Sequence, residues 1–157
     1  MKIVLLQVDK TQESYMAEGI GIYTKRLANY TFFEMLTINV PKNVRQRSFG
    51  EQKAEEAKLI LKQLTPEDEL VLLDERGKEL SSVEFSKFIS QKQNASVKRL
   101  VFLIGGPFGF DQSVYDRANF KLSLSKMTFS HQMVRLFFTE QLYRAFTILK
   151  GEKYHHD

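Results

Sequence analysis

The sequence predicts an α/β fold built on a parallel sheet, and three patterns lead there. Five short apolar runs recur along the chain, polar stretches with helical spacing lie between them, and the runs are continuously apolar rather than alternating. Strands buried on both faces by crossover helices have that last property. With 157 residues, 43% hydrophobic and 27% charged, and only three prolines, the chain suits one domain over residues 1–157.

The elements follow in order. "KIVLLQV" (2–8) is the first strand, and 13–29 has helical spacing. "FEMLTINV" (33–40) is the second strand. The helix at 49–64 carries Ala54, Ala57, Ile60, Leu61 and Leu64 at spacings of three and four, a stripe to lay on a sheet, with Glu55, Lys58 and Lys62 toward water. "ELVLLD" (69–74) is the third strand, 81–93 a helix, and "RLVFLIG" (99–105) the fourth strand. A short helical turn at 111–118 leads to "FKLSLS" (120–125), and a long helix at 131–149 closes the series. There Met133, Phe137, Ala145 and Ile148 form the expected apolar stripe, and His131 and Arg135 lie one turn apart on one face. Glu140 and Arg144 have the i,i+4 spacing of a helix salt bridge. Helices are expected on both faces of the sheet, with ligands at the carboxyl ends of the strands.

Composition narrows the chemistry. Absence of cysteine excludes disulfides, thiolate nucleophiles and cysteine-zinc sites, and suits the cytoplasm. The opening "MKIVLLQVDK" is too short an apolar run for a signal peptide, and no stretch has the length to span a bilayer, so a soluble protein without a membrane partner is expected. The 23 Lys and Arg against 19 Asp and Glu give a net charge of +4, which permits a polyanionic partner without demanding one. No carboxylate or histidine pair has ligand spacing with His131, so no metal is expected.

"LIGGPFGF" (103–110) ends the fourth strand with three glycines and a proline. It lacks the Lys-Ser/Thr of a P-loop, and adjacent Gly105 and Gly106 do not make the spaced glycines of a dinucleotide fingerprint. Two readings stay open: a tight turn with positive backbone angles, or bare backbone offered to a flat, largely uncharged ligand. A second loop, "LSLSKMTFS" (122–130), follows the fifth strand and can complete a pocket with the first. The tail "KGEKYHHD" (150–157) is either frayed or places Tyr154 on an unpaired base, with Lys153 or His155 on phosphate or base edges.

Together "LIGGPFGF", "LSLSKMTFSHQMVRLFFTEQLYRAF" (122–146), the "LD…GK" segment (73–78) and the closing "YHHD" resemble the small SPOUT-class methyltransferases of the RlmH type, over essentially the whole chain. The resemblance implies methylation of N3 of a pseudouridine in 23S ribosomal RNA within the ribosome, a C-terminal trefoil knot, a homodimer, and S-adenosylmethionine bound in the knot. It also implies a cofactor pocket of Leu72, Leu73, Gly105, Gly106, Leu124, Ser125, Lys126, Met127, Thr128, Phe129 and Ser130. His131 is then the candidate base or base-orienting group, Arg135 and Arg144 stabilise the developing anion or hold phosphate, and Tyr154 and His155 position the flipped-out base. Members of the family generally end Tyr-His followed by Lys or Arg, whereas His156 stands here. Two rivals are a non-enzymatic ribosome-binding factor and a hydrolase built on Asp74, Glu75 and His131.

Overall fold

A computed structural model describes residues 1–156. Its order is β1 (Lys2–Val8), α1 (Ser14–Leu27), β2 (Phe32–Ile38), α2 (Lys42–Arg45), α3 (Phe49–Leu61), β3 (Glu69–Glu79), α4 (Ser82–Asn94), β4 (Arg99–Ile104), α5 (Gln112–Arg117), β5 (Phe120–Ser123) and α6 (His131–Leu149). The five strands form one parallel sheet in the order β2-β1-β4-β3-β5. The continuous apolar runs have the expected cause: Ile3 to Leu6 and Leu100 to Leu103 are fully buried, their side chains entering alternate layers.

Helices cover both faces. On one, Ile3, Leu5, Val71 and Phe102 pack under Leu27 of α1, Phe85 and Ile89 of α4, and Phe138 and Leu142 of α6. On the other, Val4, Leu6, Leu70, Leu72 and Leu103 pack under Val44, Ala57 and Ile60 of α2 and α3 and Val114 of α5. Capping boxes start α3 (Ser48 with Glu51) and α4 (Ser81 with Glu84), while Ser130 accepts the Met133 N–H at the start of α6.

Four readings need correcting. β2 ends at Ile38 rather than 40, because β1 turns away at Asp9, whose φ of 63° leaves the ladder. β3 runs past 74 to Glu79, with an irregularity between Leu73 and Lys78 that lets both residues pair with Leu122. On α3, Ala57 and Ile60 are buried but Ala54, Leu61 and Leu64 only partly, and Gln52 and Glu56 take buried places. On α6 the buried face is Arg135, Phe138, Leu142, Ala145 and Phe146, and Met133, Phe137 and Ile148 are only half-buried. Two polar positions, Gln132 and Arg135, displace the stripe because they anchor α6 to the chain leaving β1.

Candidate active site

The carboxyl ends of β3, β4 and β5 open into a cavity of about 410 Å³, a size that admits a cofactor. Leu73, where β3 becomes irregular, and Ile104, the last residue of β4, lie beneath it, Leu122 to Ser125 bring β5 to it, and the glycine loop supplies Gly105, Gly106, Pro107, Gly109 and Phe110. Met127 to Ser130 wall the opposite side, and His131 and Val134 bring the first turn of α6. The lining is thus largely aliphatic and aromatic, interrupted by bare backbone, a few hydroxyls, His131 and the charged side chains of Asp74, Glu75 and Arg76.

The glycines combine close packing with a tight turn. Gly109 has φ of 77° and its N–H donates to the Gly106 carbonyl at 3.2 Å, so the open turn reading is met in part. A Cβ on Gly105 would lie 2.9 Å from the Phe110 ring, a wall of the cavity. One on Gly106 would lie 2.9 Å from Oε1 of Glu56. The resulting slot, apolar with exposed main chain, fits an adenosyl group, which needs an apolar sandwich and a few backbone partners.

Of the expected lining residues, Leu73, Gly105, Gly106, Leu124, Ser125, Met127, Thr128, Phe129 and Ser130 line the cavity. Leu72 does not, because strand alternation turns it into the opposite core layer with Leu70 and Leu103. Lys126 is exposed and also stands outside the lining. Sequence reasoning missed Arg76, Phe110 and Tyr115 and placed Asp74 only in the hydrolase reading; the irregularity in β3 and the fold of the glycine loop bring these residues in. The irregularity also brings both Asp74 and Glu75 to the cavity, although regular alternation would send them to opposite faces. Neither resembles a hydrolase's free carboxylate: Asp74 accepts the Tyr115 hydroxyl, whose pKa is pushed up to about 12 chiefly by burial, and Glu75 accepts the Thr128 hydroxyl at 2.6 Å. These two bonds tie α5 and the 124–130 segment to the end of β3.

His131 is half-buried at the rim, and burial, followed by the nearby Arg135 cation, lowers its pKa below the ordinary histidine value. Neutral imidazole is therefore its form at physiological pH. Arg135, expected to meet an anion, is fully buried; Nη2 donates to the Val8 carbonyl at 2.8 Å and Nη1 to the Thr11 hydroxyl at 3.1 Å. It fastens α6 and raises the local potential instead of reaching into the cavity.

Arg144, Tyr154 and His155 form a separate cluster. The Tyr154 hydroxyl donates to Glu140 Oε1 at 3.0 Å, its ring lies 4.7 Å from the Arg144 guanidinium carbon and 4.7 Å from the Tyr143 ring, and Arg144 Nη1 is 3.2 Å from His155 Nδ1. The tail is docked rather than frayed. Arg144 also makes the expected pair with Glu140 at 2.6 Å, which holds its pKa above the usual arginine value. Arg144 stands thirteen positions after His131 on α6, roughly 20 Å of helix, so within one chain the tail cluster does not share the cavity.

Glu56, behind the glycine loop, is only 6% exposed and has its carboxyl pushed up to about 7, first by burial and then by Asp9, against the opposing pull of Arg45. Its folded value lies above the unfolded one, so its contribution to stability is full below the unfolded pKa and is lost as pH rises through about 7. Glu56→Gln is expected to match the wild type near pH 4.5 and exceed it by about 1–2 kcal/mol at pH 8, after discounting the shift for solvent screening. Urea midpoints at the two pH values check this; a difference independent of pH would contradict it.

Among the described residues no group of three or more His, Cys, Asp or Glu is arranged to hold a metal ion, and no helix is long and apolar enough to cross a membrane. Residues 1–155 match a protein family described as "Predicted SPOUT methyltransferase". The chain is 56% identical over 156 residues to the ribosomal RNA large subunit methyltransferase H of Cytophaga hutchinsonii, covering 99% of this chain and 100% of that protein. It is 54% identical over 157 residues to the protein of the same name in Parabacteroides distasonis, with both chains covered completely. A solved probable methylase family protein from Haemophilus influenzae shares the fold at a TM-score of 0.50 and 12% identity, over 99% of this chain and 70% of that one.

Proposed function

The chain belongs to the SPOUT methyltransferase family, and from that membership we propose that it transfers a methyl group from S-adenosylmethionine to N3 of a pseudouridine in 23S ribosomal RNA. The observation that carries the reading is the glycine-walled apolar cavity at the strand ends with a neutral histidine at its rim. The shared name of the two relatives supports the RNA class. We propose the described lining residues as the cofactor pocket within a single catalytic domain, and a C-terminal trefoil knot around it. Supporting the knot, the 124–130 segment leaves edge strand β5, passes the ends of β3 and β4, and starts α6 beside Lys10 and Gln12, which follow β1.

The bound cofactor supplies an electrophilic methyl group. This chain's residues then have to align the base and take the N3 proton. Leu73, Leu122, Leu124 and Phe129 would hold the adenine, and the Gly105–Gly106 backbone leaves room for ribose and the amino-acid end. His131 would be the base: burial, and after it the adjacent Arg135 cation, lower its pKa, so that a neutral imidazole is available to take the N3 proton. Arg144, Tyr154 and His155 position the flipped-out nucleotide. Because they lie at the far end of α6, we infer a homodimer in which each tail serves the partner's cavity. Such an enzyme works on ribosomal RNA in the cytoplasm.

Methyl-labelled cofactor incubated with bacterial ribosomes lacking this methyl group is expected to label one pseudouridine, located by nuclease digestion. The acid limb of kcat should fall below pH 6.5, the ordinary histidine value. His131→Gln should remove that limb and lower kcat roughly a hundredfold, the low end for a lost general base. An unchanged profile in the variant excludes His131 as base. Absence of both label and cofactor binding would favour the non-enzymatic RNA-binding factor.

A further inference from the structure

Phe49 and Phe108 have no part in the chemistry above, yet both are exposed, at 65% and 36%, and stack with ring centroids 4.1 Å apart and planes inclined by 27°. Single exposed apolar side chains are ordinary, but two rings stacked in water at the edge of a cavity form a surface that a partner can use. Their placement is built. Phe108 sits at the tip of the turn closed by Gly106 and Gly109, and Phe49 is the first residue of α3, behind the Ser48 capping box. Phe108 is two residues from Gly106, so platform and cavity wall lie within roughly 7 Å along the chain.

Charge identifies the occupant. The segment "PKNVRQRSF" (41–49) that delivers Phe49 contains Lys42, Arg45 and Arg47 and no carboxylate. Arg45 bonds Asp9 at 2.6 Å and Arg47 lies 3.7 Å from Glu55, yet their side chains stay 52% and 43% exposed. Each cation thus retains open donors. A flat apolar platform flanked by cations matches a single-stranded nucleic acid, whose bases stack and whose phosphates follow the positive charge. An apolar protein surface burying the same rings would offer no counter-charge to these three exposed cations, two of which keep only partial pairing with Asp9 and Glu55.

We propose that Phe49 and Phe108 form a stacking platform for an unpaired base flanking the methylation target, with Lys42, Arg45 and Arg47 holding its phosphates. This rests on the RNA-methyltransferase reading and deepens it. It assigns substrate positioning to the start of α3 and to the tip of the cofactor loop, so the same loop reads RNA outside and lines the cavity inside.

The test is binding of undermethylated bacterial ribosomes and of a single-stranded RNA containing 2-aminopurine, whose fluorescence reports stacking. Phe49→Ala is expected to weaken both about tenfold and to reduce the fluorescence change, as loss of one base–aromatic stack does. Phe49→Trp should restore binding. Cofactor affinity by calorimetry and oligomeric state by light scattering should be unchanged in both, since Phe49 lies outside the cavity lining. Equal RNA binding by Phe49→Ala and wild type overturns the proposal, and so does an altered oligomeric state with normal RNA binding, which would make the pair a subunit contact. Wild-type protein that binds no RNA would remove the methyltransferase reading and this inference together; binding by the wild type with no effect of the variant removes this inference alone.

Discussion

Gly77→Ala is expected to cost about 3 kcal/mol of stability, the upper end of the usual penalty for forcing an extra group into a packed interior, and to weaken cofactor binding more than tenfold. A Cβ at this position would lie 2.7 Å from the carbonyl carbon and from the nitrogen of Leu122, and 2.7 Å from the carbonyl carbon of Lys121. All three are backbone atoms, so no side-chain rotation relieves the contact. The obstruction falls where Leu73 and Lys78 both pair with Leu122, and Leu122 to Ser125 form part of the cavity wall. Displacing β5 therefore opens the strand ladder and the site at once. Gly21→Ala is the control: nothing lies within 4 Å of its Cβ, and a helical alanine should gain about 0.5–1 kcal/mol. Denaturant unfolding and cofactor titration of both variants decide the matter. Wild-type stability and affinity in Gly77→Ala would show that β5 yields freely, and the account of the irregularity would fail.

The sheet is readable because parallel strands buried on both faces are written as apolar runs, as β1 is from Ile3 to Leu6 and β4 from Leu100 to Ile104. Their order is not, since nothing in "ELVLLD" says that it lies between β4 and β5. Elements were misjudged where polar residues take inward places for local reasons. Arg135 sits on the buried face of α6 because the Val8 carbonyl and the Thr11 hydroxyl need its donors, and Glu56 occupies the apolar side of α3 beside a glycine that leaves it room. Periodicity scores both as outward. In the site, the glycine loop and the 124–130 segment are legible as motifs, whereas Leu72 falls in the opposite core layer because successive residues of β3 alternate between faces. Asp74 and Tyr115 illustrate what sequence withholds: a bond across 41 residues that only the crossover creates.

Deleting residues 154–157 is expected to lower methyl transfer at least a hundredfold while leaving cofactor affinity within twofold, since misplacing a reacting group by about 1 Å already costs that much. Among the described residues lost, Tyr154 and His155 pack on Glu140, Tyr143 and Arg144, and none of 154–156 lines the cavity of its own chain. If each tail serves the partner's cavity, as proposed above, a two-fold axis across α6 would bring the far end of one helix to the near end of the other. Mixed dimers test this directly. His131→Gln and the truncation are each inactive in the active site they enter, but in a heterodimer with sites shared between subunits both lesions fall in one site and the other is whole. Heterodimer isolated through two affinity tags should therefore recover about half of wild-type activity, and the unfractionated mixture about a quarter if subunits assort at random. If the heterodimer stays as inactive as its parents, the tail serves its own chain, and the substrate must span the roughly 20 Å from the His131 end of α6 to the Arg144 cluster within one subunit. Recovery makes each active site a composite, so that a subunit outside the dimer binds cofactor without carrying out the transfer.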